Sequence, residues 1–97
     1  MAAIHRRSRG KVDLNHGIIR DGLRQAGYYV RDTSEIGKDF PDLLAVSKSG
    51  IAVLLEVKTD GEYPSEGQVL FLFRYPGPIS LVFDIDDALK VMERYDD

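Results

Sequence analysis

The feature that most constrains the fold is the apolar, β-branched run Ile51-Ala52-Val53-Leu54-Leu55, which ends in Glu56-Val57-Lys58. Continuous runs of this kind are typical of central strands that are covered on both faces. Because residues i and i+2 of a strand point to the same side, Glu56 and Lys58 should share one face at the strand's end. A carboxylate and an ammonium group in that setting lose solvation, which is costly unless another group compensates.

Around this strand, periodicity, caps and turn residues predict an α/β fold of order α-β-β-β-α-β-α, with helices flanking a mixed β-sheet. Asp13 is predicted to cap a first helix that runs to about Ala26 and stops at Gly27. The apolar stripe of this helix consists of Leu14, Ile18, Ile19 and Leu23. The other predicted elements are strands at 28–30, 42–46, 51–57 and 79–83, a polar loop at 31–41, a hairpin turn at 48–50, a helix at 66–75 and a final helix capped by Asp84 that runs to about Arg94.

The chain has 97 residues, enough for a single domain spanning 1–97, and no cysteine. The lack of cysteine excludes disulfides, thiolate nucleophiles and zinc–thiolate sites, and it fits a reducing cytoplasmic location. No stretch is long and apolar enough to cross a membrane, and no apolar segment follows the basic start. We therefore expect neither a membrane anchor nor a secretory signal.

Charge is unevenly distributed along the chain. Residues 1–48 carry nine Lys/Arg against six Asp/Glu and residues 49–97 carry four against ten, within an overall net charge of −3. This asymmetry is compatible with one basic face for phosphates and one acidic face, or with charges that merely scatter over the surface. The basic start, residues 1–11, is either a functional arm or a frayed terminus.

A second carboxylate, Asp42, begins the strand that precedes the hairpin. Counting outward from the middle of the turn, Asp42 is seven residues back and Glu56 seven forward, so antiparallel pairing places them nearly opposite each other. Adjacent carboxylates repel unless a cation lies between them, and all-oxygen ligation favours Mg²⁺ or Mn²⁺ over zinc or copper. The Val57 carbonyl is a further candidate ligand. Lys58 would orient a metal-activated water or offset the negative charge of the transition state.

A structural alternative is that Glu56 and Lys58 form an ion pair at a sheet edge. An acid-x-Lys triplet arises by chance about once in a hundred residues, so the triplet alone says little. The catalytic interpretation depends on its context: Pro-Asp opens one strand, a hairpin follows, and Glu-x-Lys closes an apolar strand.

In that context, Pro41-Asp42 with Glu56-Val57-Lys58 resembles the signature of the PD-(D/E)xK nuclease superfamily. The order of elements is similar to that of archaeal-type Holliday-junction resolvases and phage VRR-NUC nucleases over nearly the whole chain, from about Lys11 to Met92. Short phage proteins of this kind share further residues, which here are Lys11, Asp13, Asn15, Pro41 to Leu44, Leu55 to Lys58, Gln68 and Gly77-Pro78. The resemblance implies a restriction-endonuclease-like fold.

The resemblance also implies roles for individual residues. Asp42 and Glu56 would be metal ligands, and Lys58 the catalytic lysine. Gln68 would be an accessory site residue, although without the resemblance it would be an ordinary polar residue on a helix surface. Ser34 lies in the loop where such resolvases often carry a serine that contacts the scissile region.

One position departs from the family pattern. These nucleases usually carry a metal-binding glutamate on the first helix, and Ile18 is expected to occupy its place here. Asn15 or Asp13 could substitute for it one turn earlier, whereas Asp13 is equally well explained as a helix cap.

Basic residues around the expected site are, as a group, candidate contacts to DNA phosphates, although each alone is better explained as an ordinary surface charge. These residues are Arg6, Arg7, Arg9, Lys11, Arg31 and Lys38. No base-reading helix is evident, which favours recognition of branched DNA, such as a four-way junction, over recognition of a base sequence.

The helix at 66–75 contains the segment Val69-Leu70-Phe71-Leu72-Phe73, which is apolar around its whole circumference. Either a second copy of the chain covers it, giving a homodimer through this helix and the neighbouring sheet, or it is a core helix wedged between sheet and loops. A two-fold dimer would suit a four-way junction, which needs two symmetric cuts.

Together these features predict a Mg²⁺-dependent endodeoxyribonuclease of a phage or its bacterial host, acting as a Holliday-junction resolvase. Two alternatives remain open. The chain could be a flap, nick or restriction-like nuclease, or it could be a non-catalytic DNA-binding module that retains the nuclease fold.

Overall fold

The structure, a computed structural model, describes the backbone of residues 2–97 and the side chains of residues 14–97. Three helices and four strands follow the predicted order, and a short 3-10 helix, Ser34–Ile36, lies in the polar loop. The elements are α1 (Ala2–Gln25), β1 (Tyr29–Asp32), β2 (Leu43–Val46), β3 (Ala52–Val57), α2 (Glu66–Arg74), β4 (Ile79–Val82) and α3 (Ile85–Glu93). The prediction of an α/β chain with a mixed sheet is confirmed.

The four strands form one sheet in the order β1-β2-β3-β4. The first three are antiparallel neighbours, whereas β4 runs parallel to β3 and is reached through α2. As predicted, β3 is central, and all its residues from Val53 to Val57 are buried. A strand buried on both faces needs no polar alternation, which explains its continuous apolar sequence.

The main core lies between one face of the sheet and helices α1 and α3. Alternate strand residues point to this face, among them Leu43, Val53 and Leu55, all fully buried. They pack in one cluster with buried residues of the two helices: Ile19, Leu23, Ala88, Val91 and Met92. The opposite face of the sheet carries Asp42 and Glu56, and α2 is the helix on that side.

Two predictions about the first helix are wrong. The helix starts at Ala2, so Asp13 lies inside it rather than at its N-cap. Leu14 and Ile18 are not core residues, because they are 65% and 51% exposed. The helix turns its Ile19 and Leu23 edge to the sheet, and the buried polar residue His16, rather than Ile18, extends that edge toward its N-terminus.

The predicted ends of the helices and strands agree more closely with the structure. Gly27 terminates α1 with φ 97°, a conformation that suits glycine, and Asp84 caps α3 by accepting a hydrogen bond from the amide of Asp87. The first strand is shifted: it covers Tyr29–Asp32 instead of 28–30, so Arg31 belongs to a strand and not to the loop. The pairing of Arg31 with Leu44 explains this shift.

The C-terminus is fastened to the β2–β3 hairpin. The Tyr28 hydroxyl donates to the Asp96 carboxylate, which also accepts from the amide of Lys48, and the Ser49 hydroxyl donates to the Tyr95 carbonyl. Burial and the adjacent carboxylate raise the pKa of Tyr28 to about 12. The phenol therefore stays a donor at neutral pH.

Helix α2 buries none of its residues. Val69, Leu70 and Phe73 are 46%, 43% and 88% exposed, so the alternative of a helix wedged in the core is wrong. Of the helices that the structure describes, none is long and apolar enough to span a membrane.

Candidate active site

The β2–β3 hairpin brings Asp42 and Glu56 together. Leu43 pairs with Leu55 across the two strands, and the same register continued by one residue places Asp42 opposite Glu56. The predicted register is therefore confirmed. A tight turn fixes it, in which the amides of Gly50 and Ile51 donate to the carbonyl and hydroxyl of Ser47.

Three protein groups surround the two carboxylates. The Val57 amide donates to Asp42 Oδ2 at 2.9 Å, the Gln68 Nε2 amide donates to Glu56 Oε2 at 2.9 Å, and Lys58 Nζ lies 3.6 Å from Glu56 Oε2. The side chains of Glu56 and Lys58 are 3% and 15% exposed. The predicted residues Asp42, Glu56, Lys58 and Gln68 thus form one cluster at the end of β3.

Gln68 reaches Glu56 because it also caps α2. The Ser65 hydroxyl accepts from the Gln68 amide, and the Gln68 Oε1 atom accepts from the Ser65 amide, which together make a capping box. With its oxygen held in this way, the side-chain nitrogen of Gln68 faces Glu56. The sequence signal for this arrangement, Ser-x-x-Gln before an apolar helix, was available but was not used.

The loop before Asp42 is held against the start of α2. The carboxylate of Asp39 accepts from the Ser65 hydroxyl at 3.3 Å and lies so close to Gly67 that a Cβ atom there would overlap it. Lys38 and Asp39 both have positive φ, 54° and 66°, which L-residues rarely adopt. This strained turn therefore ties the approach to Asp42 to the helix that carries Gln68.

The electrostatics of the cluster are unfavourable for two negative charges. Burial and the Asp42 carboxylate together raise the pKa of Glu56 to about 7, against the opposing effect of Lys58. Burial also raises the pKa of Asp42, although the Val57 amide and nearby positive charge act against it. At neutral pH one ammonium group does not fully compensate two adjacent carboxylates, of which Glu56 is buried and Asp42 half-buried, so an additional cation would stabilise the doubly ionised pair.

The donor set fits a hard divalent cation with few protein ligands. Within residues 14–97, no three His, Cys, Asp or Glu side chains converge as a ready-made metal cage. Mg²⁺ commonly binds through only one or two carboxylates and completes its shell with water and substrate phosphates. Asp42, Glu56 and the Val57 carbonyl supply oxygen atoms of this kind.

From α1, the residues that approach the cluster are Asn15 and His16, and not Ile18. Asn15 Nδ2 donates to the carbonyls of Lys58 and Phe83 at 3.2 and 3.1 Å, which fastens the helix to the ends of β3 and β4. Ile18 lies outside the site on the exposed side of the helix. The expectation that Ile18 occupies the place of the missing glutamate is therefore wrong, and the side chain of Asp13 lies outside the described residues.

His16 was missed by sequence reasoning. It is buried, and its Nε2 lies 3.5 Å from both the carbonyl of Asp42 and a carboxylate oxygen of Asp32. Its spacing of three residues from Ile19 was the available signal. A second unpredicted group is the Thr59 hydroxyl next to Lys58, which is buried with no hydrogen-bond partner among the side chains described.

The predicted DNA-binding residues are only partly described. Arg31 and Lys38 are exposed, and strand alternation puts Arg31 on the Glu56 face of the sheet. The Ser34 amide and hydroxyl both donate to Asp32, so this hydroxyl already has a partner. The side chains of Arg6, Arg7, Arg9 and Lys11, which make up the basic part of the predicted arm, lie outside the described residues.

Comparisons with protein-family models, with curated proteins and with solved structures found no match to this chain. Its function is therefore inferred from its own residues and their geometry.

Proposed function

We propose that the chain is a Mg²⁺-dependent endodeoxyribonuclease of the PD-(D/E)xK type, with a restriction-endonuclease-like fold. The observation that carries this proposal is the pair of carboxylates, the buried Glu56 and the half-buried Asp42, at the shared end of two central strands, with Lys58 Nζ 3.6 Å from Glu56. An ordinary structural ion pair does not need a second acid, Asp42, which raises the pKa of Glu56.

Each residue of the cluster has a role that its contacts support. Asp42, Glu56 and the Val57 carbonyl would hold Mg²⁺ or Mn²⁺, which when bound polarises a phosphodiester oxygen and lowers the pKa of a water molecule. Lys58 would orient that water and offset the negative charge that develops on the phosphate. Gln68 fixes the orientation of the Glu56 carboxylate through its 2.9 Å hydrogen bond.

The proposed substrate is branched DNA, with the four-way junction of a Holliday-junction resolvase as the leading candidate. The exposed cations Arg31, on β1, and Lys38, in the loop before Asp42, are proposed to contact phosphates, together with Arg6, Arg7, Arg9 and Lys11. We propose that two chains pair through α2 and the adjacent sheet face, which is consistent with the exposure of Val69 and Phe73. The proposed location is the cytoplasm of a bacterial host, with a phage origin.

A different candidate is a DNA-binding module that has lost turnover. It is favoured by one observation: the described part of α1 contributes Asn15, rather than an acidic residue, near the cluster. The side-chain amide of Asn15 donates its hydrogen bonds to backbone carbonyls. A flap, nick or restriction-like nuclease is the remaining alternative and would use the same catalytic groups.

The test is cleavage of labelled four-way junction, flap and linear duplex by the purified protein, with Mg²⁺ or with a chelator. We expect symmetric junction cuts that need Mg²⁺ and fall at least about 100-fold in Glu56→Ala and Lys58→Ala. Glu93→Ala and Lys90→Ala, which change exposed residues of α3, serve as matched controls. Cleavage confined to flaps or duplex would select the other nucleases, and binding without any cleavage would select the non-catalytic module.

A further inference from the structure

A pocket of about 430 Å³ lies beside the candidate active site, between the loop before Asp42 and helix α2. Its walls include Lys38 and Asp39 from the loop, and Phe71, Arg74 and Tyr75 from α2 and its C-cap. This volume is within the range of about 300–1,000 Å³ that is usual for pockets holding small organic groups.

One wall of the pocket is a fixed series of aromatic rings. Phe40 packs edge-on against Phe71 at 5.4 Å, and Phe71 stacks on Tyr75 at 5.7 Å with 22° between the ring planes. Gly77 leaves room for the Tyr75 ring, because a Cβ there would come within 3.0 Å of it. Tyr75 remains 37% exposed, so an ordered ring is presented to a planar ligand.

The charged groups of the pocket favour an anion attached to that planar group. Lys38 and Arg74 are exposed at its walls, and neither forms an ion pair with any residue whose side chain is described. Asp39, the acidic residue of the lining, already accepts a hydrogen bond from Ser65 at the start of α2. Two free cations beside an exposed aromatic ring match the chemistry of a nucleotide, with a flat base and an adjoining phosphate.

Residues that line the pocket are close in the sequence to residues of the candidate active site. Asp39 precedes Asp42 by three residues, and Gly67, which also lines the pocket, is followed by Gln68, the donor to Glu56. The loop before Asp42 and the first turn of α2 therefore contribute residues to both the pocket and the carboxylate cluster.

We propose that this pocket receives one unpaired nucleotide of the substrate strand, with its base stacked on Tyr75 and its phosphates against Lys38 and Arg74. The inference rests on the proposed nuclease function and narrows its substrate to DNA with an unpaired or easily unstacked base beside the cut. Branch points supply such bases at a low unstacking cost, whereas continuous duplex does not.

The test measures DNA binding by fluorescence anisotropy in chelator, so that no cleavage occurs, at one fixed salt concentration. Three duplexes of equal length are compared: fully paired, with one bulged nucleotide, and with a bulged abasic site. We expect the wild-type protein to prefer the bulged base over the abasic bulge by about 5- to 100-fold, the range typical of base–aromatic stacking. Tyr75→Leu should abolish this preference, Tyr75→Phe should retain it, and Tyr29→Leu, at an exposed tyrosine on β1, should not change it.

The two cations give an independent measurement. Lys38→Ala and Arg74→Ala should each weaken binding of the bulged duplex. Each should also reduce the steepness of the plot of log binding constant against log salt concentration by about one unit, the contribution of one released counterion. Lys90→Ala is the matched control on α3.

The outcomes separate this inference from the proposed function. A wild-type protein that binds DNA but shows no preference for the bulged base, or a preference that persists in Tyr75→Leu, would overturn the pocket alone and leave the nuclease proposal standing. A wild-type protein that binds none of the three duplexes would also overturn the pocket, whereas the nuclease proposal is decided separately by the cleavage of four-way junction, flap and linear duplex.

Discussion

Replacing Glu56 with glutamine removes a negative charge from the buried end of β3 and keeps the size of the side chain. The pKa of Glu56 is raised from 4.5 to about 7 by burial and by Asp42, so the protonated form favours the folded state. This contribution is fully present below pH 4.5 and is lost as the pH rises through 7, because the folded protein must then ionise a buried carboxyl group. The glutamine variant does not undergo this loss.

The size of the effect follows from the two pKa values. At about 1.4 kcal/mol per pKa unit, the rise from 4.5 to about 7 corresponds to about 3 kcal/mol of unfolding free energy at pH 8 and to about 1 kcal/mol at pH 5. A glutamine still accepts from Gln68 and can donate to Asp42, so no new polar group is left unpaired. For a domain of this length, the gain at pH 8 corresponds to a rise in Tm on the order of 15 °C.

The assay is thermal unfolding of the metal-free wild type and Glu56→Gln at pH 5 and pH 8, with Glu93→Gln as the control on the exposed side of α3. We expect Glu56→Gln to be more stable than the wild type at both pH values, with a gain at pH 8 about three times the gain at pH 5. Added Mg²⁺ should raise the Tm of the wild type at pH 8 more than that of the variant, because binding to the folded state stabilises it.

The opposite result has a definite meaning. If Glu56→Gln lowers the Tm at pH 8, Glu56 and Lys58 form a stabilising structural ion pair, and the charge imbalance inferred for the cluster is wrong. Equal stability at both pH values would contradict the raised pKa of Glu56.

Three further substitutions test the framework of the site and the fold. Gly67→Ala places a Cβ against the Asp39 carboxylate and should lower the unfolding free energy by about 1–3 kcal/mol in denaturant titrations, with recovery when Asp39→Ala is added; a lack of recovery would contradict the overlap. Asn15→Ala removes two hydrogen bonds to the carbonyls that follow β3 and β4 and should cost about 1–2 kcal/mol in the same titrations, so unchanged stability would show that these bonds contribute little. Tyr28→Phe loses its hydrogen bond to Asp96 and should lower the Tm by a few degrees without changing DNA cleavage, and a loss of cleavage at unchanged Tm would refute a purely structural role.

The relation of Asp42 to Glu56 was predictable from the sequence because short turns leave little freedom of register. Once a tight turn at residues 48–50 is recognised, antiparallel pairing fixes which residues face each other across the two strands. The burial of β3 was predictable for a related reason, since its unbroken apolar sequence suits only a strand with neighbours on both sides.

The orientation of α1 was not predictable in the same way. Its apolar residues extend from Leu14 to Leu23, wide enough to allow more than one rotation about the helix axis. Packing against α3 and the sheet selects the edge with Ile19 and Leu23, which exposes Ile18 and turns Asn15 toward the ends of the strands. Tertiary contacts, rather than periodicity, decided this choice.

The left-handed turn at Lys38 and Asp39 gave no sequence signal at all. Neither residue type requires positive φ, so the conformation depends on the contact between the Asp39 carboxylate and the start of α2. The pocket beside the active site depends on the same contact, and it too was absent from the sequence-based prediction.

Gln68 connects the N-terminus of helix α2 to the candidate active site, so a change at the site should be measurable at the helix. The side-chain amide of Gln68 accepts from the Ser65 amide at the first turn of α2 and donates to the Glu56 carboxylate, so the start of the helix and the carboxylate share one side chain. The backbone amide of Gln68, bonded to the Ser65 hydroxyl, should therefore exchange its hydrogen more slowly whenever the site is filled. The hydrogen-exchange rate of the Gln68 backbone amide would then report whether a ligand is bound at Glu56.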